Sequence, residues 1–145
     1  MQLPRYSYKI NESYLDYEFI SKGPNGIIKK IVHFGQIGEN IYNIGFGDLD
    51  ETTGKISDIV VTNNNDSRIV LATVASAIHD FMLHYPKAII YARGSTATRT
   101  RLYRIGITTH WKEINLYFNI YGLKDSQWEK FIAGTAYEAF LIQWK

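Results

Sequence analysis

The chain of 145 residues has the length of a single domain, and a hydrophobic content of 46% supplies a core of ordinary size for that length. Sixteen basic residues against fourteen acidic ones leave a formal charge of +2, which is too small to indicate nucleic-acid binding by the whole surface. The chain has no cysteine and no apolar run near the roughly 20 residues that span a bilayer. These features exclude disulfides and thiol catalysis and predict a soluble cytoplasmic protein of one domain, residues 1–145.

The first half of the chain has the pattern of strands. Alternating apolar and polar residues over Tyr14–Ser21 predict a half-buried strand. The tetrapeptide Gly23–Gly26 predicts a tight turn, because Pro presets φ and Asn-Gly tolerates positive φ. The strand predicted over Ile27–Phe34 returns from it. Further strands over Ile41–Asp48 and Lys55–Thr62, joined by short polar turns, complete a predicted antiparallel meander of four strands.

The apolar period changes after this meander. Apolar residues at spacings of three and four predict a helix from Ser67 to about His84, capped by Asn65 or Asp66 and ended by the proline that follows. The segment Lys87–Arg93 is apolar without polar alternation, as expected of a strand inside a sheet.

A second helix is predicted after this strand, with Ser95 as its cap. Thr98, Leu102 and Ile105 fall on one side of it and are expected to face the core. We expect the helix to continue past Gly106 rather than end there.

The remaining segments are a strand over Leu116–Gly122, a short helix that begins at Asp125, and a final strand over Ala136–Trp144. The order β-β-β-β-α-β-α-β-β predicts an α+β fold with a mostly antiparallel sheet.

Arginines cluster at the start of the second predicted helix. Four of the six lie within twelve residues, and no acidic residue occurs between Asp80 and Glu113. The planar guanidinium fork suits phosphate or carboxylate, and a helix start offers unpaired N–H groups to an anion. The candidate ligand-binding residues are Arg93, Ser95, Thr96, Arg99, Arg101, Tyr103 and Arg104. Helical spacing places Arg99 and Arg101 on opposite flanks, so all four arginines cannot contact one small ligand.

The same arginines also fit a structural role. In that interpretation they pair with acidic residues across the sheet, namely Asp16, Glu18, Asp48, Asp58 or Glu113. No catalytic residue and no metal site is predicted, since the histidines lack metal-ligand spacing. The acidic segment Asp48–Glu51 is expected to be a hairpin connection rather than a cation loop.

Parts of residues 55–108 resemble a family of small uncharacterised bacterial and phage-related proteins, most specifically in the string from Arg99 to Tyr103. The order of elements also resembles a reduced N-acetyltransferase scaffold, without the glycine motif that binds the coenzyme A pyrophosphate in that superfamily. At the corresponding turn this chain reads Asn64–Ile69. The resemblance implies an acetyltransferase-like fold and, for an enzyme, coenzyme A as the cofactor.

Three functions are compatible with these residues. The leading hypothesis is a non-enzymatic binding protein whose arginines hold a phosphate-bearing or nucleic-acid partner, with no cofactor and no membrane association. The second is a divergent acyltransferase that uses coenzyme A. The third is a structural homodimer in which the arginines form salt bridges.

Overall fold

A computed structural model describes residues 4–57, 63–94 and 96–145. Within these ranges the chain forms nine strands and three helices. The strands are β1 (Tyr8–Ile10), β2 (Asp16–Gly23), β3 (Gly26–Gly38), β4 (Ile41–Asp50), β5 (Lys55–Ile56), β6 (Ile89–Ala92), β7 (Phe118–Lys124), β8 (Gln127–Lys130) and β9 (Ala139–Trp144). The helices are α1 (Ser67–His84), α2 (Ala97–Thr109) and α3 (Trp111–Tyr117). The predicted α+β class with a mostly antiparallel sheet is confirmed.

The chain divides into two compact units. The first contains Met1–Phe34 and Gly45–His84, and the second contains Gly35–Ile44 and Tyr85–Lys145. The prediction of a single domain stays a prediction.

The first unit contains the strand order β1-β2-β3-β4, with β5 paired to β4. Strands β2 and β3 form a hairpin that closes at Gly23 and Gly26, on the predicted turn. Burial alternates along β2 as the sequence pattern predicts, with Tyr17, Phe19 and Ser21 inside. Strand β1 was not predicted. It pairs with the outer edge of β2.

Helix α1 covers the buried face of this unit. Its ends match the predicted helix, and Val70, Val74, Phe81 and Met82 are among its buried residues. The ring of Phe81 stacks on that of Phe34 with centroids 4.0 Å apart. Each such side chain contributes about 1.5–3 kcal/mol when it leaves water, so this contact anchors the helix to the sheet.

The second unit contains the strand order β4-β6-β9-β7-β8. Strand β6 lies between β4, to which it is parallel, and β9, to which it is antiparallel. It is therefore the interior strand that its apolar run predicts. In β6 and β9, Ile90 and Ile142 lie on the buried face, whereas Tyr91 and Leu141 lie on the opposite, half-exposed face.

The buried side of α2 differs from the prediction. Thr98 and Ile105 are exposed, and the buried residues are Thr100 and Ile107. Apolar residues occur on more than one side of this helix, so periodicity alone does not select the face. The cap is also off by one residue, because Thr96 is the N-cap, while Ser95 lies outside the described residues.

Two predictions for the second unit, on the end of α2 and on the segment at Asp125, have different outcomes. Helix α2 continues past Gly106, as expected, but ends at Thr109, and α3 begins after His110. The helix predicted at Asp125 is wrong. Asp125 and Ser126 have φ values of 50° and 63° and join β7 to β8 as a two-residue hairpin turn, which is the conformation of a type I′ turn.

Several strand boundaries differ from the predicted ones. Strand β7 begins at Phe118 instead of Leu116, because α3 extends through Tyr117. Strand β9 begins at Ala139 instead of Ala136. The strand predicted over Lys55–Thr62 is described only at Lys55–Ile56, and residues 58–62 lie outside the described part of the chain. In the ranges that the structure covers, no helix has the length and apolar content needed to cross a membrane.

Candidate anion-binding pocket

A pocket of about 460 Å³ lies in the second unit, where the chain leaves β6 and enters α2. This volume is in the range of small-ligand sites, about 300–1,000 Å³. We call it the arginine pocket. Its lining residues are Arg93, Gly94, Thr96, Ala97, Thr100, Arg101, Arg104, Ala136, Tyr137 and Glu138.

Gly94 allows the loop after β6 to lie directly against the first turns of α2. Its N–H donates to the Thr100 hydroxyl oxygen at 3.0 Å. A Cβ at this position would lie 2.4 Å from the backbone nitrogen of Thr100 and 2.5 Å from the Cβ of Arg99. Only glycine fits this approach, and the approach holds Arg93 beside the helix.

The start of α2 presents its positive end to the pocket. Thr96 has an extended backbone, and its side chain accepts a hydrogen bond from the Arg99 N–H at 3.2 Å. The first turn of the helix contains no acidic residue. The partial positive charge of the helix start therefore adds to that of the arginines.

Helical spacing decides which arginines reach the pocket. Arg101 and Arg104 are three residues apart, so they lie on the same flank of α2, and both line the pocket together with Arg93. Arg99 is not among the lining residues. The opposed flanks predicted for Arg99 and Arg101 correspond to this arrangement.

Tyr103 also lies away from the pocket lining. Its hydroxyl donates to the carbonyl of Ile44 at 3.3 Å, and burial raises the pKa of this phenol to about 12, against an opposing effect of Arg99. The structure thus brings together Arg93, Thr96, Arg101 and Arg104 of the predicted set. It does not bring Arg99 or Tyr103 to them.

Of the five acidic residues predicted to neutralise the arginines, two have other partners and Glu18 is exposed on β2. Asp48 forms an ion pair with Lys30, and Asp16 pairs with His33. The side-chain oxygen Oε2 of Glu113 is buried without a hydrogen bond, and Asp58 lies outside the described residues.

The three lining arginines have few contacts of their own. Among the described residues, Arg101 and Arg104 form no hydrogen bond and no ion pair. The guanidinium of Arg93 hydrogen-bonds the hydroxyl of Tyr91, which raises the pKa of Arg93, and Glu138 adds a weaker attraction. The pocket therefore keeps a positive charge that the described side chains do not cancel.

One wall of the pocket comes from a segment that sequence reasoning missed. The ring of Tyr137 lies over Gly122, where an added Cβ would be 2.4 Å from it. The Tyr137 hydroxyl donates to Glu129 Oε2 at 2.9 Å and accepts from the Ile132 N–H at 3.0 Å. No local pattern marks Tyr137 or Glu138 as site residues, because only the pairing of β9 with β6 and β7 brings them beside α2.

Residues 4–57, 63–94 and 96–145 contain no group of three or more metal-ligating side chains. The acidic segment Asp48–Glu51 forms the end of β4 and the turn to β5, as its hairpin interpretation predicts.

Comparison with known proteins gives a family but no activity. The model of a family described as "Family of unknown function (DUF6934)" matches residues 2–145. This agrees with the expected kinship to uncharacterised proteins. No curated protein and no solved structure matches the chain.

Proposed function

The chain belongs to DUF6934, a family of unknown function, and we propose that it is a binding protein that holds a phosphate group of its ligand in the arginine pocket. One observation carries the proposal. Three arginines from two elements line a single pocket at the start of a helix, and one carboxylate, Glu138, accompanies them.

The chemistry of the lining favours a phosphate over a neutral ligand. Arg101 and Arg104 offer bidentate donors on one flank of α2, and Arg93 approaches from the loop. Phosphate accepts several such hydrogen bonds at once, and the positive end of α2 adds to the attraction. A neutral ligand would leave these charges without compensation.

The lining side chains are suited to holding charge rather than to moving protons. Guanidinium groups stay protonated at physiological pH. The pKa of the Tyr137 phenol is raised, chiefly because burial disfavours its anion. These properties support binding as the role of the pocket.

The test is a calorimetric titration of the purified protein with inorganic pyrophosphate. We expect binding in wild type and a loss of about tenfold or more in affinity for Arg101→Ala and for Arg104→Ala, because each removes charge-assisted hydrogen bonds. Arg99→Ala is the matched control. It removes the same charge from the same helix but lies outside the pocket lining, so its affinity should stay close to wild type.

Two results would overturn the proposal. One is that pyrophosphate does not bind. The other is that Arg99→Ala weakens binding as much as Arg101→Ala, which would indicate a general effect of positive charge. Glu138→Gln gives a check of opposite sign, because removal of the lining carboxylate should tighten binding.

Coenzyme A is the phosphate-bearing ligand that the resemblance to acetyltransferases implies. Acetyl-coenzyme A therefore belongs in the same titration. Tighter binding of acetyl-coenzyme A than of pyrophosphate, lost in Arg101→Ala, would favour the acyltransferase hypothesis over the binding hypothesis. Transfer of its acetyl group to an amine would then be the activity to measure.

A further inference from the structure

The sheet of the second unit has an open face that carries aromatic and aliphatic side chains. Residues paired across neighbouring strands point to the same face, and the observed register connects Tyr91 to Leu141, Leu141 to Tyr121, and Leu123 to Trp128. We call these five residues the aromatic face. Four of them are half-buried and Trp128 is 42% exposed.

Helix α3 lies on the opposite side of this sheet. Trp111 of α3 contacts the ring of Phe131, and Phe131 contacts Phe140. Phe140 is fully buried and lies on the other side of β9 from Leu141. Helix α3 therefore packs on the buried face and does not cover the aromatic face.

Trp128 is held in a defined orientation on the aromatic face. Its ring lies 6.3 Å from that of Tyr91 with an interplanar angle of 72°, so the two rings meet edge to face. A supported, partly exposed indole offers a π surface on which a planar ring can stack.

Arg93 connects the aromatic face to the arginine pocket. It follows Tyr91 by two residues, interacts with the Tyr91 side chain and also lines the pocket. Two residues of strand span about 7 Å. A single nucleotide is long enough to place its phosphate near Arg93 and its base on the adjoining rings.

The charges on this face are also of one sign. Lys130 pairs with Tyr121 and is exposed on the same face. The other polar residues at the described strand positions of this face are the amides Asn43, Asn119 and Gln143, and none of these positions carries a carboxylate. Amides can hydrogen-bond base edges, whereas a polyanion avoids acidic surfaces.

We propose that the ligand is a single-stranded nucleic acid, with a backbone phosphate in the arginine pocket and bases stacked on the aromatic face at Tyr91 and Trp128. This inference rests on the proposed function, because the arginines hold the backbone. Stacking on aromatic side chains requires unpaired bases and tolerates any base sequence. A duplex hides its base faces and is a poor ligand for such a surface.

The test measures binding of a labelled oligothymidylate by fluorescence anisotropy, beside the pyrophosphate titration. We expect Trp128→Ala to weaken oligonucleotide binding by about tenfold, the loss of one stacked base, and to leave pyrophosphate affinity unchanged. Trp128→Phe should restore part of the loss. Tyr117→Ala is the matched control, since Tyr117 is an exposed aromatic residue, 48% accessible, outside the aromatic face.

The remaining outcomes distinguish the nucleic-acid proposal from the phosphate-pocket proposal. If pyrophosphate binds and the oligonucleotide does not, or if a duplex of the same length binds equally well, this inference falls and the phosphate pocket stands. If neither ligand binds, both proposals fall. If Trp128→Ala turns a dimer into a monomer and leaves oligonucleotide binding unchanged, the face is a contact between copies and this inference falls.

Discussion

In the first unit, Lys30 and Asp48 are both buried and form an ion pair of 2.6 Å, whereas in the second unit Arg101 and Arg104 line an open pocket without an ion pair among the described residues. The ammonium of Lys30 also lies 5.8 Å from the centre of the Phe46 ring. Burial makes an unpaired charge very unfavourable, so Lys30 and Asp48 depend on each other. Arg101 is exposed and Arg104 is half-buried, so the cost of leaving these charges unpaired is much smaller. The contrast separates charge that holds the fold from charge that is available to a ligand.

The largest expected effect concerns the buried pair. Lys30→Met should lower the free energy of unfolding by about 3–5 kcal/mol, because it removes the ammonium that pairs with the buried Asp48 carboxylate. Urea denaturation followed by circular dichroism measures this change. Lys29→Met is the matched control, since Lys29 pairs with Glu51 at the surface, and its effect should be much smaller. Equal losses in the two variants would contradict the distinction between the charges.

A smaller effect is expected where the loop meets α2. Gly94→Ala should lower the free energy of unfolding by about 1–3 kcal/mol, because the new Cβ would clash with the backbone of Thr100. It should also weaken pyrophosphate binding, because Arg93 moves with the loop. In the control Gly38→Ala, the Cβ would lie at an ordinary 3.7 Å from Ile41. An unchanged stability and affinity for Gly94→Ala would show that this close approach does not shape the pocket.

His110 is a buried residue of the second unit, and within the described part of the chain it has no ion-pair partner of the kind that Lys30 and Asp48 provide for each other in the first unit. It is 3% exposed, and neither ring nitrogen has a hydrogen-bond partner among the described residues. His110→Leu replaces it with an apolar side chain of similar size, so the free energy of unfolding at pH 7 should stay the same or rise by about 1 kcal/mol. A clear loss of stability in thermal and urea unfolding would indicate that the imidazole has a partner in solution.

The same variant also tests how the stability of the protein depends on pH. Burial lowers the pKa of the His110 imidazole, and Glu113 opposes this only in part. The unfolded chain then binds a proton below about pH 6.5, where the native ring stays neutral. Stability should therefore fall as the pH drops below this value, and His110→Leu should remove that part of the decline. Parallel curves for the two proteins would rule the effect out.

The smallest effect is expected at the arginine pocket itself. The double substitution Arg101→Ala/Arg104→Ala should change the free energy of unfolding by about 0.5 kcal/mol or less, because neither side chain is tied to a partner in the described structure. Chemical denaturation measures it beside the binding titration. A loss comparable to that of Lys30→Met would indicate that these arginines hold the fold, as the salt-bridge interpretation requires.

Local patterns predicted the elements that depend on local chemistry. The ends of α1 follow from its apolar spacing and from the proline after it, and the turn at Gly23–Gly26 follows from its residue types. The segment at Asp125 shows the limit of such reasoning. An Asp-Ser pair suits both a helix cap and a hairpin turn, and only the pairing of β7 with β8 distinguishes them.

The candidate site was predictable in part for the same reason. Clustering in the sequence identified the segment Arg93–Arg104, and helical spacing separated Arg99 from Arg101. The buried face of α2 could not be predicted, because it depends on what packs beneath Thr100 and Ile107. Nor could the contribution of Tyr137, which lies more than thirty residues further along the chain.

By itself, then, the sequence determined the α+β class, the long helix α1 and the concentration of positive charge before and within α2, since each rests on neighbouring residues. Only the tertiary structure decided that Arg93, Arg101 and Arg104 share a pocket with Tyr137 and Glu138. Strand pairing brings distant segments together, and no local rule encodes which segments meet.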